Sequence, residues 1–398
     1  SYKVPDTIKD IHEVTYFSLI LSAFTKRGGN ERFYLRCKEY FEKDGVIRFY
    51  FGGKWICMIT DPVIAKEMCL RTDVFPKLMF DEIVPNSAAE RHFGINVVHS
   101  NGDVWKRHRR VCNPAFKTLP VHLFVEKGLK MMDILEKVDN KPIENLEEPN
   151  NIYVKTYKEA QDVFRNPFVT IFQIDRIPIL QKLIFRKIDK LNNLFEDMIK
   201  EKRKSLAAGQ SNGDLLELMI KACEDPDNQM LSDTELRHNL AIFMVAGHDT
   251  TALALSTLLY LLAIHKNVQE KAREEILRVL GDNLTPSQEQ HASLKYLNLI
   301  IRENLRLYPP AGGLPLRVLA EDLKHKNFLI PAGTPISLFI YGLHHSPKLW
   351  KNPEEFLPER YENEHENYSW LAFGGGTRML VEFFVFVLIL YFSDNNLI

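Results

Sequence analysis

Apolar positions along the chain recur mostly at intervals of three and four residues. From about Leu123 to Leu280 this period is nearly continuous and predicts a succession of helices, broken at Asn166–Pro167 and at Ala208–Gly213, where turn formers cluster. The longest predicted helix opens at Ser232, which with Glu235 three residues on has the form of a capping box, and runs into the 260s. A second helix, Leu294–Leu307, is ended by Pro309–Pro310 and Gly312–Gly313. Nearer the start, branched and aromatic runs at Ile47–Phe51 and Trp55–Thr60 flank Gly52–Gly53, a hairpin signal, and Asp61–Pro62 opens a helical run over Val63–Leu70. Beyond residue 313 short strands alternate with turns such as Pro331–Ala332–Gly333, followed by a Pro- and Asn-rich loop through Arg360. The pattern predicts a mainly α (α+β) chain, a large helical domain with small peripheral β-sheets. No linker divides it, so residues 1–398 read as a single domain.

Two apolar runs are long enough to test as membrane spans. Leu240–Ile264 carries His248, Asp249, Thr250 and Thr251 at its middle, where ionisable groups are costly in a bilayer, so a helix buried in a large core is expected. Phe383–Phe392 is too short to cross and reads as a buried helix or strand. The run Tyr16–Phe24 is short and interrupted by serine, and lacks the cleavage site of a signal peptide. The chain opens on Ser1 rather than Met, so an N-terminal anchor is expected to be missing from it, leaving the chain as given soluble or peripheral.

Charge narrows the function classes. Lys+Arg at 51 against Asp+Glu at 52 leaves a net charge of -1, without the global field that draws a chain onto nucleic acid. The five cysteines (Cys37, Cys57, Cys69, Cys112, Cys223) have no CxxC spacing, which fits free thiols rather than disulfides or a zinc site.

Four local patterns carry candidate chemistry. Ala246-Gly247-His248-Asp249-Thr250-Thr251 interrupts an apolar helix; it is either a kinked core helix or a groove whose carboxylate and hydroxyl move protons. Glu303 and Arg306, three apart on one helix face, can pair, and Phe356-Leu357-Pro358-Glu359-Arg360-Tyr361 can add a third charge to a buried network. Trp105-Lys106-Arg107-His108-Arg109-Arg110 is either a solvated basic face or, through Trp105 and Arg109 four apart, an anion-binding pair. Phe373-Gly374-Gly375-Gly376-Thr377-Arg378 lacks the Gly-Lys-Ser/Thr of a phosphate loop; a mobile turn is the plain alternative.

In this order and spacing the four patterns resemble the cytochrome P-450 family of haem-thiolate monooxygenases, of the eukaryotic microsomal type, over nearly the whole chain. The resemblance implies a cytochrome P-450-like fold, haem b as cofactor, O2, and electrons from NADPH through an NADPH-cytochrome reductase. It implies a monooxygenase (an oxidoreductase) hydroxylating a small apolar substrate, a lipid or a xenobiotic, on the cytoplasmic face of the endoplasmic reticulum membrane, with no nucleic acid involved. By position, Asp249 and Thr250 would relay protons in the oxygen groove formed with Ala246, Gly247 and Thr251. Trp105, Arg109, Arg317, Phe373, Gly376 and Arg378 would hold the cofactor, with the cations on its propionates. Glu303, Arg306 and Arg360 would brace the fold beneath it.

The family's loop reads Phe-x-x-Gly-x-Arg-x-Cys-x-Gly, and this chain departs from it. Leu380 stands at the cysteine position and Glu382 at the second glycine, and no cysteine follows Cys223. The thiolate is the family's tie to iron, so no metal ligand is assigned; Met379 is out of register. Leu380-Val381-Glu382 looks like the helix that normally starts several residues later, and Pro142-Ile143-Glu144 runs almost directly into Glu147. Deletions near 144–147 and 379–381, from skipped exons or a faulty gene model, are therefore expected. Two rival functions remain: a catalytically inactive member of the fold, and a haem-dependent isomerase or peroxygenase, against which the Asp249–Thr250 pair argues.

Overall fold

The computed structural model describes residues 3–15, 18, 29–117, 126, 128–131, 133, 151–224, 231–281, 287–362 and 366–378. Leu380, Met379, Glu382, the run Phe383–Phe392, most of Tyr16–Phe24 and the segment around 144–147 lie outside these residues.

A small sheet supports one side of the molecule. Strand β1 (Glu13–Val14) precedes helix α1 (Gly29–Asp44), followed by β2 (Val46–Phe51) and β3 (Lys54–Ile59). As the glycine pair predicts, β2 and β3 form an antiparallel hairpin, in the register Val46 to Ile59, and Gly52 and Gly53 turn it with φ of 60° and 84°. Asp61 then caps helix α2 (Pro62–Leu70) by accepting from the amides of Val63 and Ile64, with proline at its first turn.

Helices α3 (Ala88–Phe93), α4 (Gly102–Lys117), α5 (Ile152–Arg165), α6 (Pro178–Ala207) and α7 (Leu215–Glu224) make a second body. They share one apolar cluster with the first half of α8 (Asp233–Ile264), including Val111, Ile188, Phe195, Met219 and Leu236. The Ser232 hydroxyl accepts from the Glu235 amide at 3.2 Å while Glu235 accepts from the Ser232 amide at 2.9 Å, so the capping box forms as read. The second half of α8 packs with α9 (Lys266–Leu280) and α10 (Lys295–Leu307) around Leu258, Ile300 and Leu305.

Four short strands follow, β4 (Arg317–Val318), β5 (Leu323–His325), β6 (Phe328–Ile330) and β7 (Pro335–Leu338), then helix α11 (Ile340–His344). The five-stranded sheet runs β1-β2-β3-β7-β4 and β5-β6 pair separately.

One expectation is only half met. The central part of α8 is not a fully buried core helix: its most apolar window is 17% buried, and Met244, Leu253 and Tyr260 are exposed. The physical reason is its packing, for α3, α6, α9 and α10 are its chief described neighbours and engage its two ends and one side. By length and hydropathy α8 is the one described helix that could span a membrane, which is weak evidence given its polar notch.

Candidate functional site

The strongest charge network sits on α10. Glu303 and Arg306 are both wholly buried. Arg306 donates from Nε and Nη2 to the two oxygens of Glu303, each at 2.8 Å, a bidentate pair. The same carboxylate accepts from Arg360 Nε at 2.9 Å and from the Leu357 amide at 3.1 Å. The remaining guanidinium hydrogens reach main-chain carbonyls: Arg306 to His344, Pro353 and Glu355, and Arg360 to Lys351, Asn352 and Glu355. The structure therefore brings together all three residues the sequence grouped, and ties α10 to the loop after α11.

A second charge cluster is built the opposite way. Lys77 and Arg317 face each other across an antiparallel bridge, and both are buried, at 6% and 3% exposure. Like charges directly opposite one another destabilise a strand pair. Arg317 Nη1 donates to the Phe75 carbonyl at 3.1 Å, and Lys77 donates to the Val98 carbonyl. Arg378 joins them, donating to the Ser100 carbonyl at 2.8 Å with its guanidinium 4.0 Å from the Trp105 ring centroid, a cation–π contact. Burial, reinforced by Arg317, Arg378 and Arg109, holds the Lys77 ammonium well below its ordinary range. Burial also lowers Arg317 to about 10, and burial with Arg317 and Arg109 does the same to Arg378. Among the described residues no carboxylate pairs with Lys77, Arg317 or Arg378, and the Nε atoms of both arginines are buried without a partner. His99 completes the wall: Nδ1 is buried without a partner, and burial with Lys77 and Arg317 pushes it to about 3.

The polar notch of α8 behaves as its residues dictate. The Thr250 hydroxyl donates to the Ala246 carbonyl one turn back. A side chain at Gly247 would meet nothing within 4 Å, so bare backbone faces open space there. Asp249 accepts from His248 Nδ1 at 2.8 Å and lies 3.5 Å from Arg165 on α5, while the His248 ring meets Tyr157 edge-on at 5.5 Å. Asp249 and Thr250 do not hydrogen-bond to each other; Thr251 follows, half-buried.

The triple-glycine turn is seated on the end of α2. Gly374 and Gly376 have φ of 73° and 65°, and a Cβ at Gly376 would fall 2.2 Å from the Cys69 carbonyl oxygen. Phe373 packs on the α8–α10 core and meets Trp370 at 5.9 Å.

Comparison with known proteins bears on this geometry. The Cytochrome P450 family profile matches residues 15–174 and 140–379. The chain belongs to the cytochrome P450 family. Cytochrome P450 4A7 of Oryctolagus cuniculus is 28% identical over 378 positions, covering 83% of this chain and 72% of that protein. Cytochrome P450 3A29 of Sus scrofa is 29% identical over 406 positions, covering 91% and 78%. A cytochrome P450DA heme domain superposes with a TM-score of 0.77 at 20% identity, over 93% of this chain and 87% of that one, which shows the P450 fold. The family consists of haem monooxygenases fed by reductase electrons.

The residues present fit the carboxylate edge of a haem. Buried and half-buried cations with orphaned N–H groups and, among the described residues, no acidic partner suit a dianionic group, which would repay their desolvation. Lys77 and His99 belong to this cluster and were missed in the sequence. The only signal for Lys77 is a lysine set in the apolar run Phe75-Pro76-Lys77-Leu78, and nothing in a linear reading places it opposite Arg317.

Proposed function

We propose that this chain encodes an NADPH- and O2-dependent monooxygenase that hydroxylates an apolar organic substrate, a lipid or a xenobiotic, at the cytoplasmic face of the endoplasmic reticulum membrane. The observation that carries the reading is the cation cluster of Lys77, Arg317 and Arg378 against Trp105, with which no carboxylate pairs among the described residues. Lys77, Arg109, Arg317 and Arg378 would hold the haem carboxylates, and Trp105 would lie against the Arg378 guanidinium. Haem, when bound, supplies the iron centre at which oxygen is activated. The bare backbone at Ala246–Gly247 leaves room for oxygen, and Phe116 with Phe243, 5.1 Å apart, supports an apolar wall. Thr250 holds its proton on the Ala246 carbonyl and Asp249 holds His248, so proton delivery requires both side chains to turn toward the groove. Glu303, Arg306 and Arg360 brace the support of the loop. Hemin titration of the purified chain tests the binding half: a Soret band that saturates at one hemin per chain is expected, and no uptake overturns it. In a relative that keeps its cysteine, Thr250→Ala at the matching residue is expected to uncouple reductant consumption from product.

A second reading is favoured by one specific observation. By the family pattern read in the sequence, Leu380 stands where the thiolate is expected, and the five cysteines are all buried free thiols. Burial pushes Cys112 and Cys57 up to about 12 and Cys37 to about 11, and it raises Cys69 beside the triple-glycine turn. None of them is poised as a thiolate. As it stands the chain would then be an inactive member of the family. The rabbit alignment spans 378 positions yet covers 83% of a 398-residue chain, so that relative carries residues this chain lacks, which supports a lost segment. The reduced, carbon monoxide-bound spectrum separates the readings: a Soret maximum at the thiolate position supports activity, and any other position supports the inactive member. Sequencing the transcript would show whether the missing segments are encoded.

A further inference from the structure

His344, the last residue of α11, is wholly buried and joined to two other parts of the chain, α10 and the loop at Leu371. Its Nε2 accepts from the Leu371 amide at 2.9 Å. The ring proton therefore sits on Nδ1, which donates to the Arg306 carbonyl at 3.2 Å. The His344 carbonyl in turn accepts from Arg306 Nη1 at 2.8 Å, so the two residues are latched in both directions. Burial, with His345 and Arg306 nearby, keeps the imidazole neutral far below its ordinary range, the state in which Nε2 can accept. Leu371 is where the loop begins: its carbonyl accepts from the Gly374 amide at 2.9 Å, closing the turn that leads through Gly376 to Arg378. Next to it, the Trp370 indole donates to the Arg302 carbonyl at 3.1 Å, a bond from α10 itself to the same loop.

We infer that His344 is a positioning residue, which transmits the Glu303–Arg306–Arg360 brace to the loop by holding the Leu371 amide. It thereby sets where Arg378 enters the cation cluster. The inference rests on the proposed reading of that loop as the cofactor-bearing one. Without the imidazole, the brace would lose its hydrogen-bonded link to the Leu371 amide, leaving the Trp370 bond to the Arg302 carbonyl and the packing of Phe373 on the α8–α10 core.

Two substitutions separate holding the loop from filling space. H344N keeps a donor for the Arg306 carbonyl but cannot reach Leu371, whereas H344Q can place an oxygen where Nε2 lies. Hydrogen exchange of the full chain without hemin should show peptide 368–378 losing about tenfold in protection in H344N, the scale of one lost buried hydrogen bond, and keeping it in H344Q. Peptides of α10 should change less than the loop. Equal protection of the loop in H344N and the unsubstituted chain overturns the inference, as does loss in step with α10 in both variants. Should H344N not fold, H344Q decides: retained loop protection supports the inference, and loop protection lost while α10 keeps its own overturns it. Hemin titration adds a second readout, with affinity about tenfold weaker in H344N and restored in H344Q. If the unsubstituted chain takes up no hemin, the cofactor reading fails and the exchange measurement still judges His344.

Discussion

Among the described residues, two groups of buried charge are finished in opposite ways. Around Glu303 one carboxylate faces two guanidiniums, and their remaining hydrogens reach main-chain carbonyls. Around Arg317 three cations are gathered with main-chain acceptors but no described acid. The first group satisfies itself and therefore reads as architecture. The second leaves charge to be neutralised from outside, which is the mark of a binding site. Burial and charge by themselves do not separate the two; completion of the hydrogen-bond set does.

The largest expected effect tests the closed group. Glu303→Gln leaves Arg306 and Arg360 buried without their counter-ion and should cost about 3–5 kcal/mol in denaturant unfolding. A loss under 1 kcal/mol would erase the distinction. The open group should respond with the opposite sign. Lys77→Met removes one of several mutually repelling cations, so stability should hold or rise by about 1 kcal/mol, while hemin affinity falls roughly tenfold. A variant that loses stability and keeps affinity would reverse the assignment.

The pH dependence sharpens the contrast. Lys77 has a folded value well below 10.5, so the unfolded chain binds more protons there and the Lys77 contribution to stability rises with pH toward 10.5, against the raised cysteine thiols, whose contribution falls over the alkaline range. In Lys77→Met the stability–pH curve should lose that rising contribution and bend further downward toward pH 10.5 than in the unsubstituted chain. At the acid end, burial lowers His92, His238 and His345 to about 4 and His99 to about 3. Each unfolded imidazole charges near 6.5 while its folded counterpart does not, so stability is lost as pH falls from 6.5 toward 4, by up to roughly 1.4 kcal/mol per unit for each histidine. Unfolding followed across pH 4–7 checks this, and His99→Phe should flatten part of the slope. The smallest effect belongs to Trp105→Phe, which weakens the contact under Arg378 and should change hemin affinity by about 0.5–1 kcal/mol.

How much of this was legible in the sequence follows from the range of each interaction. Helix boundaries set by adjacent residues were readable: the Ser232–Glu235 box and the glycine-turned hairpin are local physics. The brace was readable because Glu303 and Arg306 share one helix turn, and Arg360 came with its own Pro-Glu-Arg pattern. The cation cluster was partly readable, through motifs at Trp105 and Arg378. Lys77 and His99 were hidden because their meaning comes from Arg317, which the strand bridge brings opposite from the far end of the sequence. The direction of Asp249 was also hidden. Helical spacing places it on α8, but only packing shows that its carboxylate turns to His248 and to Arg165 on α5.

The seat of Gly376 over the Cys69 carbonyl has a kinetic consequence. These positions lie far apart in the sequence, so their contact closes one of the longest loops among the described residues and can form only once Gly376 has been synthesised. During synthesis the end of α2 must therefore wait without its final cover until Gly376 emerges, and any slowing before that residue would delay assembly of this corner further.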